Sequence, residues 1–219
     1  LHGSDFHYKW AHGTRAHNAV LVDGEGQVPH SANLGGRISE FACADGFDYA
    51  VGDGAAAYGG RLRRFLRRAA FVKPDVIVLC DDLAAQKPAT YQFMLHGLDR
   101  FIVDEKAAKI TLQRPKAGVA VNYLSPVPLT FRQWDGYDPP PDKEFPNQWH
   151  VESSTAQPLA ELEMLTVIMP HRGKTGEAWT ARRVESSREI GVVLGRGGKT
   201  TTVMFPRRGA SGLPRVELP

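Results

Sequence analysis

The chain has 219 residues, 42 % of them hydrophobic and 23 % charged, with a formal net charge of +3. That length supports one large domain or two small ones around a sizeable core, and so mildly basic a balance does not imply a nucleic-acid partner. No run of about 18 apolar residues is present, which excludes a transmembrane helix. The start at Leu1 carries neither a Met nor a signal-peptide pattern, and so abruptly polar an opening, LHGSDFHYKWAHGTRAH, is expected to continue something longer.

In chain order, NAVLVDG (18–24) is a short apolar run closed by Asp-Gly, a turn signal. GRISEFACA and FDYAVGDG follow at short spacing, and GDGAAAYGG has room for one helical turn at most. The arginine-rich stretch at 61–73 fits helical spacing at Leu62, Phe65, Leu66 and Ala69, but it runs straight into a hairpin at Lys73-Pro74-Asp75, so 65–73 reads as strand. TYQFMLHGL, RFIVDE, AKITLQR, GVAVNYLS, ELEMLTVIMP, AWTARRVES, EIGVVLGR and TTTVMFP continue the series. Many short strands at intervals of about 8–12 residues predict an all-β fold, a large antiparallel sandwich. Residues 132–158, with five prolines and two tryptophans, read as one long irregular segment and as the possible seam within a single domain spanning 1–219. Their aromatic residues argue against disorder.

Five of the eight histidines, His2, His7, His12, His17 and His30, fall in the first thirty residues, at spacings that match no standard zinc motif. His17 starts a strand whose regular continuation would put Ala19, Leu21 and Asp23 on its face. Arg15, Asn18, Gln27 and His30 have the hydrogen-bonding character that carboxylates and sugar hydroxyls require; the alternative is that they are polar hairpin ends facing water. Arg61, Arg63, Arg64, Arg67 and Arg68 read as a strand face paired with nearby carboxylates rather than as an anion patch. Asp81 and Asp82 point opposite ways on a strand and so make no carboxylate pair. LGRGGKTT lacks phosphate-loop spacing and reads as a hairpin turn. His96 reads as a core histidine, and Cys43 and Cys80 as buried free thiols.

The stretch FHYKWAHGTRAHNAVLVDGEGQ resembles the start of the central β-region of heparinase II/III-like polysaccharide lyases. GGRISEF, DYAVGDGAAAY, RRAAFVKPDVIVLCDDL, YQFMLHG and FPNQWHV follow in the order such proteins show, so the resemblance covers roughly residues 5 to 152. It implies a β-sandwich that follows an N-terminal helical toroid, in enzymes that cleave uronic-acid polysaccharides by β-elimination and are exported to the periplasm or beyond the cell. In that family a tyrosine and a histidine of the toroid do the proton chemistry, with a further histidine from an HxH segment. Some members hold zinc with that segment, an aspartate and the histidine of the HN box. By resemblance, His17 matches the HN-box histidine and is the candidate metal ligand. His30 falls where some members place a histidine near substrate, and is the candidate catalytic residue. Arg15 and Asn18 match the box without a role of their own. With Gln27 and Trp149 they are the candidate substrate-binding residues. The expected partners are an acidic polysaccharide or oligosaccharide and the upstream toroid, with a homodimer possible in principle and neither nucleic acid nor membrane involved. Alone, the chain is expected to be inactive. The competing expectations are a non-catalytic carbohydrate-binding sandwich, using the arginine run and the aromatic loop, and a purely structural domain.

Overall fold

The computed structural model describes residues 3–173, 179–207 and 212–219. His2 of the histidine series and Ala178, the first residue of AWTARRVES, lie outside the described residues. The strands are β1 (Val20–Val22), β2 (Arg37–Ala44), β3 (Phe47–Asp53), β4 (Leu62–Val72), β5 (Val76–Ala89), β6 (Tyr91–Gly97), β7 (Ile102–Asp104) and β8 (Lys109–Gln113). They continue with β9 (Ala117–Leu124), β10 (Leu129–Asp135), β11 (Trp149–Thr155), β12 (Leu159–Arg172), β13 (Thr180–Glu185), β14 (Glu189–Arg196), β15 (Lys199–Pro206) and β16 (Arg215–Glu217). Three antiparallel sheets result: an eight-stranded one in the order β2-β3-β4-β5-β12-β9-β8-β7, and four-stranded ones in the orders β1-β6-β11-β10 and β13-β14-β15-β16. The predicted all-β sandwich is the observed fold.

Strand alternation explains how one large sheet serves two small ones. On β5, Val76, Val78 and Cys80 are buried with Ile190, Val192 and Phe205 of the last sheet. Leu83 and Ala85, of opposite parity, are buried with Val20, Tyr91 and Val151 of the first four-stranded sheet. The two cores therefore lie on opposite faces of the eight-stranded sheet, toward opposite ends of its long strands. On β4, a register shift between Leu62 and Arg64 puts Leu62 and Phe65, three residues apart, into the same core.

Four of the five arginines of the run, Arg61, Arg63, Arg64 and Arg67, lie beside carboxylates as the sequence predicts, but only Arg61 and Arg63 are exposed; Arg64 and Arg67 are half-buried and Arg68 is buried. Arg67 donates to Asp81 at 2.7 and 2.9 Å, and Arg64 lies 2.8 Å from Asp82. Both aspartates are about fully buried, at 1 % and 0 % exposed, and their side chains leave opposite faces of β5. Gly197 and Gly198 form the turn between β14 and β15, and residues 55–58 make a single 3-10 turn.

Three expectations need correction. Cys80 is a buried free thiol, but Cys43 is exposed, because β2 is an edge strand with no neighbour beyond it. Residues 132–158 are not one irregular segment: β10 and β11 reach into it from both sides and pair from Leu129↔Thr155 to Asp135↔Trp149. Four of its five prolines, Pro139, Pro140, Pro141 and Pro146, lie between the two strands, and Trp134 and Trp149 lie inside them. Finally, β1 spans only Val20–Val22, so His17 is not part of a regular strand with Leu21 and Asp23.

Candidate functional site

The site is built on the segment before β1. Residues Phe6–Ala11 form a π-helical turn, closed by a hydrogen bond from His12 N–H to His7 O at 3.1 Å. Phe6 and Trp10 are buried on its inner side, against an aromatic group formed by Tyr137, Phe145 and His150. Burial of that face leaves His12 and the following 3-10 turn, Thr14–Ala16, at the surface beside β1.

The chain then reverses at Asp23-Gly24, where both residues have positive φ (51° and 78°) and Val22 and Glu25 exchange backbone hydrogen bonds. Positive φ at both central positions is what makes Asp-Gly a turn former here. The Asp23 carboxylate accepts from Thr90 N–H at 2.8 Å and from its hydroxyl at 3.0 Å, tying the turn to the start of β6. The returning segment crosses Thr14 so closely that a Cβ on Gly26 would stand 2.3 Å from the threonine side chain. Thr14 Oγ1 accepts from Gln27 N–H at 2.8 Å, and Val28 N–H donates to Ala57 O at 2.8 Å. His30 follows, in the left-handed region at φ 54°, a conformation costing a non-glycine residue roughly 1–3 kcal/mol.

The result is a cavity of about 270 Å³ lined by His12, Thr14, His17, Gln27, Pro29 and His30 among others. His12 Nδ1 and His30 Nε2 are 3.0 Å apart, and His7 meets His12 edge-on with ring centroids 4.2 Å apart. Three of the sequence candidates, His17, Gln27 and His30, thus meet at one cavity. Arg15 instead donates to Gly24 O at 3.2 Å, bracing the turn, and Asn18 Oδ1 accepts from His96 N–H at 3.0 Å, fixing the entry to β1. Trp149 lies on the inner face of its sheet, packed on the first core under Arg100, whose guanidinium is 5.5 Å from the ring.

Next to this cavity is a histidine pair, half-buried at His96 and fully buried at His150, that sequence reasoning missed. His96 and His150 face each other across β6 and β11, with their Nδ1 atoms 2.7 Å apart. His96 Nε2 is 3.0 Å from His17 O, and His150 Nε2 is 2.6 Å from Gly136 O. Two neutral rings carry two protons for these three contacts; a third proton would satisfy all of them. Burial opposes it, pushing His96 down to about 4 and lowering His150 as well. The pair is therefore neutral near pH 7, with one of the three contacts unmade. His96 is a half-buried link between the HN box and the loop after β10 rather than a core histidine. Trp10, Trp134 and Tyr137 enclose His150, which is 0 % exposed.

The zinc expectation has little support from the side chains present. His17 Nε2 is 3.1 Å from Ala11 O, and among the described residues no three His, Cys, Asp or Glu side chains are placed to hold a metal ion. A zinc ion at His17 would need ligands from beyond the described residues.

The class these features define is an antiparallel β-sandwich carrying a histidine-lined cavity at the edge of one sheet. The family model described as heparinase II/III-like, C-terminal, matches residues 1–204, and the chain belongs to that family. No curated protein matches it. Among solved structures it is similar to heparan sulfate lyase HepC from Pedobacter heparinus in a mutant form: 13 % identity, TM-score 0.75, 96 % of this chain and 34 % of that one. It is likewise similar to a heparinase III, with 15 % identity, TM-score 0.72, and coverage of 94 % and 32 %. The chain thus spans about a third of the length of these proteins, and at such identities the likeness is one of fold.

Proposed function

We propose that this chain is the β-sandwich part of a polysaccharide lyase that cleaves uronic-acid-containing polysaccharides by β-elimination, in the periplasm or outside the cell. The observation that carries the reading is the convergence of His12, His17 and His30 on one cavity, in a chain of this family. β-Elimination needs a base for the proton α to the uronate carboxylate, donors that neutralise that carboxylate, and an acid for the departing oxygen. His30, on a strained backbone at the cavity wall, is the group this chain offers for proton transfer. Gln27 offers an amide for hydrogen bonding, while Arg15 and Asn18 act indirectly, by holding the turn and the strand that shape the cavity. The remaining acid–base groups are contributed by an upstream helical toroid, so the isolated chain is inactive. The test compares the isolated chain with the longer protein on heparan, alginate and related substrates, following the absorbance of the unsaturated uronate product. Activity in the isolated chain, or none in the longer protein on any uronate polymer, would count against the reading.

One observation favours a second reading, a glycan-binding module. Arg132 stacks 4.6 Å from the Trp134 ring, giving a cationic and a planar apolar surface side by side. This reading predicts affinity of the isolated chain for acidic glycans, lost in Trp134→Ala. Calorimetry showing no heat with any acidic glycan would discard it.

A further inference from the structure

Resting on the lyase reading above, we infer that His12 is a positioning residue for His30, deciding which nitrogen of His30 carries its proton. Three independent features converge on this pair. The backbone of His30 is held in the left-handed region, and the segment leading to it is pinned on both sides, by Gln27 N–H on Thr14 and Val28 N–H on Ala57. Its Nε2 meets His12 Nδ1 at 3.0 Å. Both rings line the same cavity.

Proton counting gives the contact its consequence. Two neutral imidazoles carry two ring protons, and one of them must lie between the rings. If His12 Nδ1–H donates, His30 accepts at Nε2 and keeps its proton on Nδ1, as an acid. If His30 Nε2–H donates, its Nδ1 is bare, as a base. Among the described residues neither His30 Nδ1 nor His12 Nε2 has a hydrogen-bond partner. In either arrangement the pair therefore presents one bare nitrogen and one N–H, and the tautomer of His30 is tied to that of His12. A histidine without such a partner exchanges freely between both forms.

The decisive measurement is long-range ¹H–¹⁵N correlation on the labelled chain at pH 8. The wild type should show His30 as one tautomer. His12→Ala should give the mixture of a free histidine, and His12→Asn, which keeps a donor and an acceptor at similar reach, should restore a single form. His12 is exposed, so neither variant should disturb the fold. A wild-type mixture at His30, or an unchanged tautomer in His12→Ala, overturns the inference. In the longer protein, His12→Ala should move one limb of the pH–rate profile with KM little changed, and should have no further effect once His30 is alanine. An unmoved profile in an active enzyme also overturns it. Absence of all lyase activity would instead sink the functional reading, leaving the tautomer result to stand or fall separately.

Discussion

Acidification should destabilise this domain through the His96–His150 pair. Burial holds His96 at about 4 in the folded chain, against an ordinary 6.5 once unfolded. A group depressed in this way stabilises the fold fully above pH 6.5, and that contribution disappears as the pH falls toward 4, because the unfolded chain takes up the proton first. A drop of about 2.5 pH units corresponds to a ceiling of about 3 kcal/mol at 1.36 kcal/mol per unit. Solvent screening on a half-buried ring reduces this to about 2 kcal/mol. His150 is shifted the same way and adds to the effect. For a domain of this size each kcal/mol is worth about 2–4 °C, so the melting temperature should fall by about 4–8 °C from this source between pH 7.5 and 4.5. Other groups also titrate in that range, so the informative quantity is the difference between wild type and His96→Gln, which retains the backbone bond to Asn18 while removing the titrating ring. The wild-type curve should be the steeper of the two. Parallel curves, or a wild type that gains stability on acidification, would refute the reasoning.

Asp81→Ala should cost about 2–3 kcal/mol in urea denaturation, because it takes the carboxylate from Arg67, whose half-buried guanidinium regains only part of its hydration. Tyr58→Phe should cost about 1–2 kcal/mol, since the hydroxyl donates to Val20 O at 2.6 Å in a fully buried setting and its loss leaves that carbonyl unpaired. A thiol reagent should label Cys43 in the native chain and reach Cys80 only on unfolding. Cys43 should react more slowly than an ordinary exposed thiol, because its hydrogen bond to the Asp48 carboxylate pushes its pKa up. Two equivalents taken up by the native chain would contradict the burial of Cys80.

Most strands were legible because turn residues punctuate apolar runs, and because β4 and β5 carry alternation long enough to outweigh the helical spacing at Leu62–Ala69. The edge position of β2 was not, since GRISEFACA is as apolar as an interior strand and only strand order reveals that Cys43 faces water. β16 was missed because Arg215–Glu217 is three residues bracketed by loop-like sequence. At the site, the Asp-Gly turn and the closeness of His17 to His30 could be read from a hairpin. The His96–His150 contact could not: it joins residues 54 apart through the pairing of β6 with β11, and no local pattern encodes that register. The contribution of His12 was visible only as part of a histidine-rich stretch, because the π-helical turn that aims it depends on burial of Phe6 and Trp10.

The staggered placement of the two cores bears on how the domain comes apart. β4, β5 and β12 each give fully buried residues to both cores, from one face at one end and the opposite face at the other. Neither core can be lost while the other keeps these strands intact, so global unfolding should be a single cooperative event rather than two. The histidine cavity, resting on a three-residue strand and two single-turn helices at the margin of one core, stands outside that shared frame.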